Sequence, residues 1–271
     1  MNFVLLALVT AQEDALVRHW LHAQPDEWAH TLSHCAHVAV LFSDAAWLAL
    51  TLRTAHEIVA GGECVALWLW LTQNASAVPL CDRVPCFVDR RVTDSAQWGT
   101  RRYFNKIAIR LPVMLALVQQ LPLGGALALL DSDVAVLRRH LFARIARIAL
   151  LAHNATIAVQ QEWPCSTAPL RLCVNGGVWW LRRSTGAREF LARAVALMHR
   201  LALPDQDALE VALAERTADF VHYLDRRRYV NGYTAQRDGV RGAHLVHANW
   251  LTGIDAKRRL LDDSRRHGFC V

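Results

Sequence analysis

The 271-residue sequence is short of the residues that keep a chain from packing: it has 13 glycines and 8 prolines, and 54% of its residues are hydrophobic. That balance excludes collagen-like, low-complexity and disordered chains. No apolar run reaches the length of a bilayer; the longest, Val4–Val9 and Val65–Leu71, are strand-sized, so no transmembrane segment is expected. Nor does a basic cluster precede the first apolar run, and polar Thr10-Ala11-Gln12 follows it, so Phe3–Val9 is expected to be a buried first strand rather than a signal peptide. There is no block of like charge. Lys and Arg total 30 against 24 Asp and Glu, dispersed through amphipathic segments, which argues against a nucleic-acid partner and suits an anionic small molecule. Cysteine pairs at Cys-x-x-Cys spacing are absent, so neither His34, Cys35 and His37 nor Cys81 and Cys86 make a convincing zinc site. The seven cysteines are expected to be mostly small buried hydrophobes in a cytoplasmic protein. The sequons Asn74-Ala75-Ser76 and Asn154-Ala155-Thr156 leave a Golgi or other secretory-lumen location open.

Short apolar runs alternate with helical patterns, the signature of βαβ units and a mainly parallel, Rossmann-like α/β sheet flanked by helices. After Phe3–Val9 and a helix over Glu13–His22, strands are expected at Val38–Phe42 and Val65–Leu71. They are separated by a helix over Ala45–Val59 that a glycine of Gly61-Gly62 closes. Residues 72–100 lack a sustained period and read as a long loop. Tyr103–Gln119 returns to helical spacing, with Pro112 starting or kinking it, and Ala126–Leu130 is a fully apolar strand. Neither repeat nor linker divides residues 1–271, so one domain is expected.

That last strand ends in Asp131-Ser132-Asp133. Sixteen aspartates in a chain of this length produce about one Asp-x-Asp by chance, so only its position gives the motif weight. It lies at the carboxyl end of a buried strand, where ligands collect in open α/β sheets. Two carboxylates there need a hard divalent cation, Mn²⁺ or Mg²⁺, shared with a diphosphate, or else they are the solvated caps of an ordinary turn. Position alone supports both readings.

Further segments follow in a characteristic order: Ile157-Ala158-Val159 with Glu162, Cys173-Val174-Asn175-Gly176-Gly177 through Arg182, Leu203-Pro204-Asp205-Gln206-Asp207, and His244-Leu245-Val246-His247-Ala248-Asn249-Trp250 with Gly253 and Lys257. Together with Asp131-Ser132-Asp133 this order resembles the nucleotide-diphospho-sugar transferases, GT-A glycosyltransferases similar to plant rhamnogalacturonan xylosyltransferases, over roughly Tyr103–Leu261. The resemblance implies a single GT-A domain, residues 1–133 forming a nucleotide-binding half and residues 134–271 a donor-sugar and acceptor half. It also implies a metal-dependent enzyme that moves a sugar, with retention of configuration, from a UDP-sugar (UDP-galactose or a UDP-pentose) to a hydroxyl acceptor on a glycan, a glycoprotein or a small molecule. The alternatives are a non-catalytic protein of the same fold and a metal-dependent nucleotide phosphohydrolase.

Carried over residue by residue, the resemblance makes Asp131 a ligand of the nucleotide sugar and metal, Asp133 a direct metal ligand, and His247, rather than His244, the third ligand. Asn175, Gly176 and Gly177 would face the sugar; the family more often has Asn-Thr-Gly or Asn-Ser-Gly, so Gly176 lacks a hydroxyl found there. Asp205 and Gln206 would stand near the anomeric carbon as catalytic groups, although Pro204 and the acids are also an ordinary helix start. Lys257 would neutralise the diphosphate, Lys106 would reach the donor phosphate or sugar, and Thr10 would touch the base or ribose. Trp68, Trp70, Trp179 and Trp180 read as core, and Trp98 and Trp163 as acceptor-site candidates.

Overall fold

The apolar runs Val65–Leu71 and Ala126–Leu130 lie on internal strands, because helices cover the sheet on both faces and leave no polar side to alternate with. The computed structural model describes residue 30 and residues 32–72, 77–90, 101–151, 154–162 and 173–268. The elements expected at Phe3–Val9 and Glu13–His22, together with Thr10, Trp98 and Trp163, lie outside these residues.

Strand β1 (His37–Asp44) is followed by helix α1 (Leu48–Ala60), β2 (Cys64–Trp70), β3 (Cys86–Asp89), α2 (Arg101–Ile107), α3 (Arg110–Gln120), β4 (Ala126–Leu130) and β5 (Val134–Val136). Then come α4 (Leu141–Leu151), β6 (Ile157–Gln161), β7 (Val174–Arg182), α5 (Thr185–Leu201), α6 (Asp205–Ala214), β8 (Val221–Leu224), β9 (Tyr229–Asn231), α7 (Gly232–Asp238), β10 (Leu245–His247) and α8 (Ile254–Gly268). Gly62, at φ +79°, takes the left-handed conformation that turns the chain from α1 into β2. Pro112 stands in the first turn of α3, where its missing N–H leaves no helical bond unmade.

Seven strands form one sheet in the order β3-β2-β1-β4-β7-β6-β8. Its pairings are parallel except at β7, which runs antiparallel to both β4 and β6. One face packs Val38, Val40, Trp68 and Trp179 against α3, α5 and α6; the other packs Ala39, Leu67 and Trp180 against α1 and α4. Trp68, Trp70, Trp179 and Trp180 are therefore core residues, as their alternation predicts. A smaller sheet, β5-β10-β9, extends from the carboxyl end of β4. Helix α8 is tied to α1 by charge: Glu57 accepts from Arg265 Nε and from the Val136 N–H, and Arg53 pairs with Asp262.

Two expectations need correction. Residues 86–89, read as loop, form an edge strand parallel to β2; four residues directly after Pro85 are too few to display a period. The cysteines are not merely small hydrophobes. Cys35 is disulfide-bonded to Cys64 and Cys81 to Cys86, and Cys173 is disulfide-bonded as well. The pairing of Cys35 with Cys64 follows from parallel register, since Val38 stands opposite Cys64, and no linear spacing reveals it. This bridge closes a separation of 29 residues, so Cys35→Ser with Cys64→Ser should cost about 3.6 kcal/mol through the unfolded chain. Urea unfolding of both forms measures this, and an unchanged midpoint would contradict it.

Candidate active site

Strand direction assembles the site. Because β7 opposes β4, the start of β7 lies at the carboxyl end of β4: Leu130 pairs with Val178, and the Asp131 N–H donates to the Gly177 carbonyl at 2.8 Å. Because β10 opposes β5, His247 pairs with Val134, and the Ala248 N–H donates to the Asp133 carbonyl at 2.8 Å. Three distant segments thus meet at one edge of the sheet.

His247 Nε2 lies 3.5 Å from Asp131 Oδ2 and 3.2 Å from Asp133 Oδ1. Its Nδ1 faces Gln160 Oε1 at 3.1 Å; because that oxygen can only accept, Nδ1 carries the hydrogen and Nε2 is the nitrogen aimed at the carboxylates. Among the described residues, Asp131, Asp133 and His247 form the only group of this kind, with one ligand atom of each within 4.8 Å of the others. Two oxygens and one imidazole nitrogen suit a borderline-hard divalent ion and leave positions for diphosphate oxygens. His244 is turned elsewhere, its ring edge-on to Tyr229 at 5.7 Å.

Cations surround the carboxylates. Lys257 Nζ lies 2.5 Å from Asp133 Oδ2. Arg110, buried at the start of α3, reaches Asp131 Oδ1 at 2.8 Å, Asp205 Oδ2 at 3.3 Å and the Gly176 carbonyl at 2.8 Å. Burial alone would raise both Asp131 and Asp133, but Arg110 and His247 hold Asp131 below the usual carboxylate range, and His247 and Lys257 hold Asp133 far below it. Burial alone would lower His247; Asp133 and Asp131 reverse this and push the imidazole up to about 9. Asp205, despite Arg110, is raised by burial.

Strand β7 forms the wall beside this cluster. A Cβ at Gly177 would lie 2.1 Å from Asp131 Oδ2 and 2.7 Å from His247 Cε1, so no other residue fits there without moving a ligand. The departure at Gly176 has a physical account: a Cβ there would meet Gln206 Cβ at 3.0 Å, and Gln206 Oε1 accepts the Gly176 N–H at 2.9 Å. Gln206 fills the space a larger side chain would need. Asn175 is buried, its Oδ1 accepting the Gly177 N–H at 2.8 Å and its Nδ2 donating to Glu162. Asp205 is the first residue of α6, and its Oδ1 accepts the Gln206 N–H at 2.8 Å. Lys106 is buried, pairing with Asp44 at 2.9 Å and lying over the Trp70 ring.

Sequence reasoning missed Arg110, Gln160 and the role of Glu162. Arg110 did leave a signal, being the lone charge between Ile107 and Val118. Gln160 and Glu162 left none, since a strand-end amide or acid is ordinary.

Two predictions follow from the cluster. Gly177→Ala should weaken Mn²⁺ binding at least about tenfold while the protein stays folded, read by calorimetry and circular dichroism; unchanged affinity would contradict the crowding. In the metal-free protein His247 carries a proton up to about pH 9, and an ion must displace it. Mn²⁺ affinity should therefore rise with pH, by about tenfold per unit below 9, with about one proton released. Titrations in buffers of different ionisation enthalpy measure both, and pH-independent binding would remove His247 from the ligand set.

The chain is similar in fold to several glycosyltransferases of known structure. One, involved in glycosylation of the major capsid of PBCV-1, superposes with a TM-score of 0.55 at 14% identity, covering 83% of this chain and 98% of its own. The galactosyltransferase LgtC, in complex with donor and acceptor sugar analogues, gives 0.54 at 14% identity, covering 85% and 96%. GlyE of Streptococcus pneumoniae TIGR4 gives 0.52 at 12% identity, covering 84% and 59%. Comparison with curated protein sequences gives no match. These likenesses establish a GT-A fold. Residues 74–261, well over half of the sequence, match the nucleotide-diphospho-sugar transferase family, and the chain belongs to that family.

Proposed function

We propose that the protein is a divalent-metal-dependent, retaining glycosyltransferase that moves a sugar from a UDP-sugar, UDP-galactose or a UDP-pentose, to a hydroxyl of a glycan, glycoprotein or small acceptor. The observation that carries this reading is the convergence of Asp131, Asp133, His247 and Lys257 at one sheet edge, beside a strand whose glycines leave room for a ligand. Asp131, Asp133 and His247 would hold Mn²⁺ or Mg²⁺, which supplies a Lewis acid to the departing diphosphate.

The chain's own residues do the rest. Lys257 brings a cation to the place where diphosphate charge develops, and its ammonium needs only to exchange Asp133 for a phosphate oxygen. Arg110 fixes Asp131 and Asp205 relative to each other and to the Gly176 carbonyl. Asp205 and Gln206, at the start of α6, are the groups assigned to the anomeric carbon, where a carboxylate and an amide oxygen stabilise oxocarbenium charge. Asn175 is assigned to the sugar hydroxyls; its amide keeps one hydrogen and one lone pair beyond its bonds to Gly177 and Glu162. Residues 1–133 would serve the nucleotide, with Thr10 and Lys106 assigned to it, and residues 134–271 the sugar and acceptor. The disulfides support a secretory-lumen location over a cytoplasmic one, since reducing compartments keep such thiols apart.

Incubation with a panel of nucleotide sugars and Mn²⁺, scoring release of the nucleotide diphosphate with and without acceptors, tests the reading; release from no donor would sink it. Asp133→Asn should lower turnover at least about 100-fold at saturating Mn²⁺, and wild-type turnover would remove Asp133 from the metal site. Two further variants should separate. Lys257→Ala should weaken UDP and every UDP-sugar alike, by about 10- to 100-fold for one charged phosphate contact. Asn175→Ala should change preference among UDP-sugars while UDP still binds. Calorimetry with UDP and two UDP-sugars decides; equal losses for all three ligands in Asn175→Ala would show that it does not read the sugar.

A further inference from the structure

Trp250 follows the candidate metal ligand His247 by three residues, which limits their Cα separation to about 10 Å. It is 50% exposed, and its backbone is left-handed at φ +66°. A bulky aromatic residue seldom takes that conformation unless its surroundings enforce it, and such strain gathers at binding sites. The enforcing contacts are visible. Trp250 Nε1 donates to Glu162, and Asn249 Nδ2 donates to both oxygens of the same carboxylate at 3.1 and 3.3 Å. Asn249 Oδ1 in turn accepts the Gly232 N–H at 3.0 Å, where a Cβ would lie 1.9 Å from the Asn249 carbonyl oxygen.

Glu162 also accepts from Asn175, so its carboxylate is held by three donor nitrogens, one of them shared between both oxygens. A ligand gains little from it directly. What Glu162 does is hold the indole ring beside the strand that carries Asn175. The only polar atom of the indole is consumed in that bond, so what Trp250 offers a ligand is an electron-rich ring face. The complementary surface is a flat array of weakly positive C–H groups with hydroxyls at its rim, which is one face of a pyranose ring.

We infer that Trp250 is the stacking platform of the acceptor subsite, and that the acceptor is a saccharide docked by a pyranose face, rather than a peptide hydroxyl. This rests on the glycosyltransferase reading of the neighbouring site. The bond from Glu162 to Asn175 makes the platform continuous with the residues assigned to the donor sugar, so a stacked ring lies within reach of the reacting carbon.

The test uses the full chain with Mn²⁺ and UDP, and saturation-transfer NMR with methyl β-D-galactopyranoside, methyl β-D-xylopyranoside, methyl α-D-glucopyranoside and, for comparison, a threonine-containing peptide. The expected result is saturation of the pyranosides, concentrated on protons of one ring face. It should fall at least tenfold in Trp250→Ala and only in part in Trp250→Phe, which keeps a ring face but loses the bond to Glu162, while calorimetric UDP binding stays within twofold in both. Pyranoside saturation that survives Trp250→Ala, or saturation of the peptide alone, would overturn the platform. If UDP fails to bind the wild-type protein, the donor reading falls first and the inference with it; wild-type UDP binding without pyranoside saturation overturns the inference alone.

Discussion

Everything in the site depends on drawing two carboxylates out of water, Asp133 fully and Asp131 in part, without leaving their charge uncompensated. An ionised carboxylate stripped of solvent and partners is costly enough that it would take up a proton instead. Asp131 and Asp133 keep their charge because Arg110, His247 and Lys257 arrive from three different elements. The cations neutralise the pair, and of the three Lys257 is the one proposed to pass from Asp133 to a diphosphate oxygen.

The reversal of a single strand makes that convergence possible. A parallel β7 would present its carboxyl end, Leu181 and Arg182, at the site edge, and the glycines would lie at the opposite side of the sheet. Run antiparallel, it brings Asn175, Gly176 and Gly177 beside Asp131. The small sheet repeats the device, with antiparallel β10 returning His247 to Asp133.

The fold class and the strand-end aspartates were legible because they rest on local pattern: Ala126–Leu130 is uniformly apolar and Asp131 is its first polar successor. Strand direction was not legible, since residues 174–182 look alike read either way along a sheet. Arg110 could have been found by asking why one charge interrupts an apolar helix, and its answer is three oxygens from three other segments. The disulfides were hidden for a related reason, because Cys35 and Cys64 become neighbours only through the register of β1 on β2. Trp250 looked like one tryptophan among ten, and only its backbone conformation and its bond to Glu162 set it apart.

The bond between Glu57 and Arg265 lies far along α8 from Lys257, yet it bears on what happens near residue 250. Helix α8 is anchored at one end to α1 and at the other to Asp133, while β10 is held in its own sheet. Residues 248–253 therefore span two fixed points, and Trp250 and Gly253 take up the change of direction with positive φ. A segment held this way has little conformational freedom left to lose. Ordering of the indole is completed during folding rather than on contact with a ligand, so weak dispersion forces across a ring face are not cancelled by the entropy of arranging it.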